Sequence, residues 1–170
     1  MQAIMVQLLV TYMEMNVRPA GEPLPSPVEN AVLALERLEA EQFLSLYRAV
    51  GEPLRWDQRL LMPAQDLDAF LHSPSTAIYV LRIEGQPVGL CEFHRIDTAD
   101  IELTHFGLIP EMQGRRLGPY FLNGALHAIW DRAPDRVWLH TDEWDHAKAQ
   151  ETYRRAGFSV FDRKHEEVSG

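Results

Sequence analysis

In "GLIPEMQGRRLGPYFL", residues 107–122, two adjacent arginines stand between two glycines, and an apolar helical pattern follows. A turn that follows a strand and opens a helix suits an anion, because unpaired backbone N–H groups and the positive end of the helix dipole converge there. Gly114 and Gly118 remove side chains where backbone must approach a ligand closely. Pro119 is tolerated in a first helical turn, where no internal N–H bond is lost. No Lys-Ser or Lys-Thr follows Gly118, which excludes a Walker A loop, and the G-x-G-x-x-G spacing of a dinucleotide turn is absent. Two further groups have side chains able to move protons or hold cations. Glu92, Glu102 and His105 lie on strand-like runs before the turn, and "LHTDEWDHAKA" gathers His140, Asp142, Glu143, Asp145 and His146 after it. A metal site in that segment lacks H-x-x-x-H or H-E-x-x-H spacing, and the single Cys91 excludes a cysteine cluster. The segment reads as a polar loop entering a helix with Asp145 as N-cap, its charge also suited to a cationic amine.

Two blocks carry a resemblance. "QGRRLG" resembles the pyrophosphate-binding segment of the GNAT-type N-acetyltransferases, whose pattern Q/R-x-x-G-x-G/A maps onto Gln113, Gly114, Arg115, Arg116, Leu117 and Gly118, with Arg116 where the pattern has its central glycine. "AQETYRRAGF" resembles the family's A-x-x-x-Y-x-x-x-G-F ending, giving Ala149, Tyr153, Gly157 and Phe158. The distance between the blocks leaves room for one helix and one strand, as the family requires. The chain also looks like a bacterial subgroup with an extra N-terminal strand and a "YRAVGEPLRW" segment.

The resemblance implies acetyl-CoA as co-substrate, with its pyrophosphate at Gln113–Gly118 and its pantetheine arm along the strand edge from Phe106 to Ile109. It implies a backbone N–H near Leu108 facing the thioester carbonyl and Tyr153 protonating the leaving thiolate. Glu102 becomes the general base, with Glu92, His105 or water as substitutes. The implied reaction is direct attack by a primary amine of a small molecule or peptide within a ternary complex. A different class stands beside it: a degenerate member that binds acyl-CoA as a sensor or serves as an interaction domain. Arg116, and His146 where relatives often carry asparagine, favour that alternative. An unrelated nucleotide-binding α/β protein is the third option.

The elements that must position these groups follow from the pattern. A strand is expected over Val6–Met15, followed by the Pro-rich connector "RPAGEPLPSP". Residues 31–50 read either as one long helix or as a strand over Ala31–Leu38 and a helix over Glu39–Val50, with Phe43, Leu46, Tyr47 and Val50 inward. A helix after Pro63 turns Leu67, Phe70 and Leu71 inward. "AIYVLRI" and "PVGLCEFHRI" around "EGQ" form a hairpin, and "ADIELTHFGLI" is the next strand. A helix from about Leu117, a strand "RVWLHT", a helix His146–Ala156 and a strand "FSVFDR" complete the order.

This is an α/β (α+β) pattern in a single domain over residues 1–170, with N-terminal strand and connector in 1–30 and core in 31–163. By the resemblance, its mixed, mostly antiparallel sheet splays between the fourth and fifth core strands and carries about four helices. The net charge of −9 argues against nucleic acid as partner, because phosphate backbones need a basic surface. The apolar N-terminus has no basic start and no long clean run, so no membrane anchor is expected and the cytoplasm is the expected compartment. Cys91, in an apolar run, reads as a small buried residue. No metal is expected, and a homodimer through the N-terminal strand is left open.

Overall fold

The computed structural model describes residues 4–169. Its elements are β1 (Met5–Met15), β2 (Ala31–Leu35), α1 (Ala40–Gly51), α2 (Ala64–His72), β3 (Thr76–Ile83), β4 (Gln86–His94), β5 (Asp100–Leu108), α3 (Leu117–Trp130), β6 (Arg136–Asp142), α4 (Ala149–Ala156) and β7 (Ser159–Ser169). Short 3-10 turns cover Glu52–Leu54 and Pro110–Met112.

The ambiguity over residues 31–50 resolves as strand then helix. β2 forms an antiparallel ladder with β3, Ala31 opposite Ile83 and Leu35 opposite Tyr79. It ends three residues earlier than expected, and Leu38 is instead buried under α1 and α2. The side chain of Gln42 accepts the Glu39 N–H at 3.2 Å, which closes the first turn of α1. Between β3 and β4, Glu84 and Gly85 both have positive φ, 51° and 82°. That pair of left-handed residues gives a two-residue turn whose twist matches the flanking strands.

One sheet runs in the order β2-β3-β4-β5-β6-β1-β7, with every neighbouring pair antiparallel except β5 and β6. Alternation along β3 shows how both faces are covered. Ile78 and Val80 pack with Phe43, Leu46, Tyr47 and Val50 of α1 and Leu67 and Leu71 of α2. Ala77, Tyr79 and Leu81 pack with Phe121, Leu122, Leu126 and Ile129 of α3. A strand covered on both faces reads as a continuous apolar run, which is why "AIYVL" shows no polar alternation. Cys91 is fully buried in the α3-side cluster.

The N-terminal strand is not an appendage. β1 lies inside the sheet, with Tyr12 opposite His140 of β6 on one side and Asp162 of β7 on the other. Both of its edges are therefore occupied by its own chain over most of its length.

Candidate active site

The site begins where two strands part. β5 and β6 are parallel, and their register holds for three residues only: Asp100 with Arg136, Ile101 with Val137, Glu102 with Trp138. Beyond Glu102 the strands diverge, so the β5 edge from Thr104 to Leu108 lacks a β6 partner. The Ile109 N–H donates to the Val88 carbonyl at 2.9 Å. Strand alternation then turns the preceding N–H, that of Leu108, away from β4 and toward the opening.

At the end of β5 the chain turns into α3. Gly114 has φ +79°, and a Cβ built there or at Gly118 meets no atom within 4 Å. Arg116 stands at the helix N-cap with φ +62° and ψ +15°, so an arginine holds the left-handed conformation that favours glycine. Among the described residues, no side chain caps α3. Its first N–H groups therefore remain available to a ligand beside the open space at Gly114 and Gly118, an arrangement that fits a phosphate group. A cavity of about 850 Å³ runs from this loop along Phe106, Gly107 and Leu108 to Tyr153.

A second cavity of about 650 Å³ lies on the α1 and α2 side of the splay. It is lined by Trp56, Asp57, Phe70, Glu102, His140, Asp142 and Trp144, among others, and shares Leu54, Phe106, Asp145 and Tyr153 with the first. Glu102 is half-buried here, and its Oε2 lies 3.9 Å from the His140 Nε2. Burial pushes its carboxyl above the ordinary value, with His140 and His94 opposing that shift. Tyr153 packs its ring edge-on against Phe106 and Phe158. Burial first, and then the charge of Asp145, push its phenol up, so Tyr153 is protonated at any ordinary pH.

Beneath the second cavity is a buried polar network spread over four elements. Arg59 donates to Glu92 through Nε (3.2 Å) and Nη2 (2.9 Å). Glu92 also meets Nδ1 of His105 at 2.7 Å and the hydroxyl of Thr104, and the far nitrogen of His105 lies 3.3 Å from the Tyr47 hydroxyl. Burial would raise the Glu92 carboxyl, but His105 and then Arg59 outweigh it and lower the pKa to about 2. The Glu92 oxygens are engaged by Arg59, His105 and Thr104, and the residue lies below the cavity rather than on its lining. A β-bulge makes the arrangement possible. Leu103 pairs with Phe93 and His105 with Glu92, so Thr104 is the extra residue and His105 faces the same side as Glu102. Trp56 rests on His105 with ring centroids 4.7 Å apart. Gly51 makes its seat, since a Cβ there would lie 2.4 Å from the Trp56 ring.

Of the residues expected at the coenzyme, Phe106, Leu108, Gln113, Gly114, Arg116 and Gly118 line the larger cavity. Three others do not. Leu117 is core, Arg115 is exposed away from the lining, and Ile109 has its amide committed to Val88. Lys148, Thr152 and Arg155 of the α4 region line it as well, and His146 reaches it from the preceding loop. Asp145 is not an N-cap, because α4 starts three residues later than expected, with Lys148 at its cap. Asp145 instead accepts from the Thr141 hydroxyl and from the Asp142 N–H (3.0 Å), folding the loop back on the end of β6. Arg59 and Tyr47 were not expected at the site. The exposed trio Glu39, Asp68 and His72 is close enough to share an ion, and it includes none of the residues from His140 to His146. Among the described residues no helix is long and apolar enough to cross a membrane.

Comparison with known proteins agrees with this architecture. Proteins described as uncharacterized N-acetyltransferases of Mycobacterium bovis and Mycobacterium tuberculosis are 30% identical over 91 residues, covering 54% of this chain and 58% of theirs. The chain thus spans little more than half the length of the curated relatives it matches. A GCN5-related N-acetyltransferase from Sphaerobacter thermophilus superposes with a TM-score of 0.63 at 19% identity, over 96% of this chain and 53% of the other. An aminoglycoside acetyltransferase from an uncultured soil metagenomic sample gives a TM-score of 0.62 at 13% identity, over 75% and 87%. At such identities the likeness is one of fold. Residues 34–158, which run from β2 through α4, match the family described as Acetyltransferase (GNAT) family. With its splayed sheet and glycine turn inside that span, the chain belongs to the GNAT acetyltransferase family.

Proposed function

We propose that the chain transfers the acetyl group of acetyl-CoA to a primary amine by direct attack in a ternary complex. The observation that carries the reading is the meeting of two cavities at Tyr153 and Phe106, one ending on the α3 N-terminus and the other holding Glu102. In the reaction an N–C bond forms, the thioester C–S bond breaks, and the amine gives up a proton. Acetyl-CoA supplies the activated acyl group. The α3 N–H groups, Gly114, Gly118 and Arg116 hold its pyrophosphate, and the open β5 edge pairs with its amide-bearing arm. The Leu108 N–H faces the carbonyl oxygen as negative charge grows there, a contribution of about 3–4 kcal/mol where one such donor has been removed from other enzymes. Glu102, its pKa raised by burial, accepts the amine proton. Tyr153 donates toward the sulfur as the thiolate leaves.

Two measurements test this reading. CoA should raise the melting temperature by mass action, and acetyl-CoA should release thiol in the presence of an amine panel. No thermal shift would remove the coenzyme site. A shift without thiol release would support the alternative that Arg116 motivates, an acyl-CoA sensor without turnover.

A further inference from the structure

We infer that the acceptor is a polyamine, one of whose amino groups is acetylated while a second, still charged, is held at Asp142 and Trp144; this rests on the transferase reading above. The walls of the smaller cavity carry four carboxylates, Asp57, Glu102, Asp142 and Asp145, and two guanidinium groups, Arg55 and Arg59. Arg59 is neutralised by Glu92 underneath. Asp145 is occupied by Thr141 and the Asp142 backbone. Among the described residues, Asp57, Glu102 and Asp142 have no Lys or Arg partner, and Arg55 has no carboxylate partner. The balance of unpaired charge in the cavity, three carboxylates against the one guanidinium of Arg55, is therefore negative and favours a cation over a carboxylate.

The aromatic walls point the same way. Two rings of this cavity carry a cation on their faces: Arg59 lies over Phe70 at 4.0 Å, and Arg55 lies over Trp144 at 4.7 Å. Arg55 makes this contact from a left-handed backbone, φ +60°, and it and Trp144 both line the cavity. A ligand cation seated on Trp144 exchanges with that guanidinium and gains the Asp142 carboxylate beside it. Spacing separates the two positions. His140, next to Glu102, and Asp142 lie on the same face of β6 two residues apart, or roughly 7 Å along the strand. One amino group at Glu102 and a second at Asp142 thus require an acceptor with amines on separate carbons of an extended chain. An amino acid offered through its amine places a carboxylate where Asp57 and Asp142 outnumber the one unpaired guanidinium, Arg55.

The test uses the full chain, acetyl-CoA and three acceptors of equal carbon count: cadaverine, pentylamine and δ-aminovalerate. Thiol release should give cadaverine a kcat/KM roughly tenfold or more above pentylamine, the scale of one partly desolvated cation contact, with δ-aminovalerate lowest. Asp142→Asn keeps an oxygen for the Trp144 N–H, now accepted at 2.8 Å, and removes the charge. It should collapse the cadaverine-to-pentylamine ratio toward one, whereas damage that is merely structural lowers both and leaves the ratio intact. Equal use of cadaverine and pentylamine, preference for δ-aminovalerate, turnover confined to other amines, or an unchanged ratio in Asp142→Asn overturns the polyamine inference and leaves the transferase reading standing. Thiol release with no amine at all overturns both.

Discussion

Arg59 and Glu92 face each other through two nitrogens and two oxygens, at 3.2 and 2.9 Å, with side-chain exposures of 8% and 0%. Arg59 belongs to the loop between α1 and α2, and Glu92 to the middle of β4. The pair therefore pins one wall of the smaller cavity to the sheet.

Breaking that pair should cost more than any surface ion pair. Glu92→Gln leaves a buried guanidinium without its counter-charge, for a loss of about 3–5 kcal/mol at neutral pH. The sign with pH follows from the lowered pKa. Stability contributed by Glu92 is complete above its ordinary value of 4.5 and is lost as pH falls toward about 2. Urea unfolding of wild type and variant should therefore converge across that window. A constant difference throughout it would show that the carboxylate charge is not what stabilises the wall.

Tyr153→Phe preserves the ring that packs on Phe106 and Phe158 and deletes only the hydroxyl. Melting temperature and CoA affinity should be nearly unchanged. Loss of a positioned proton donor should lower kcat and kcat/KM together by roughly ten- to a thousand-fold. Wild-type turnover would reduce Tyr153 to packing and leave the thiolate's proton to solvent.

Glu102→Gln should separate from Tyr153→Phe in its pH profile. The deficit should be greatest near neutrality and shrink as pH approaches the amine's own pKa, about 10.4 for an alkylamine such as lysine's. Stability should move the other way from Glu92. A carboxyl whose folded pKa is raised binds its proton more tightly when folded, so ionising it above 4.5 costs stability. Gln removes that cost, and the variant should melt no lower than wild type at neutral pH. A rate deficit that does not vary with pH would rule out Glu102 as the base.

The glycine turn gives a paired test. Val at Gly114 must adopt φ +79° and fills open space in the loop, so Gly114→Val should destabilise by about 1–2 kcal/mol and weaken CoA binding. Arg116→Gly relieves an arginine held at φ +62° and should stabilise by up to about 1 kcal/mol, after the added freedom of the unfolded chain is counted. Its CoA affinity should fall less than that of Gly114→Val. Equal losses in isothermal titration would show that the guanidinium, not the backbone, holds the phosphates.

Legibility from sequence divided along physical lines. Strands and helices with a clear period were readable, as were the glycine turn and the block around Tyr153, because each depends on residues close in sequence. The place of β1 was not, since a strand's neighbours are chosen by partners far along the chain. The bulge at Thr104 left no mark in composition, yet it decides that His105 shares a face with Glu102. Arg59 escaped notice, and Tyr47 was read only as an inward-facing ring, because their polar roles arise only when α1, the following loop, β4 and β5 converge. Asp145 misled because it precedes a helix as an N-cap would, while its carboxylate turns back to Thr141. Arg116 looked like a departure from the family pattern, but its backbone keeps the glycine-like conformation.

The position of β1 also sets an order of assembly. Residues 5–15 are made long before β6 and β7, the two strands they join. Until the ribosome has delivered β6, the stretch from Val10 to Met15 has no ladder to enter, and Leu8 and Leu9 wait longer still, for β7. Closing so long a loop adds little to the equilibrium cost, which grows only with the logarithm of length, but non-local pairing slows folding. An early strand awaiting late partners is an edge open to wrong pairing in the meantime. The side of the splay that carries His140 and Asp142 therefore closes late in synthesis, and the cavity between the two halves exists only once it has.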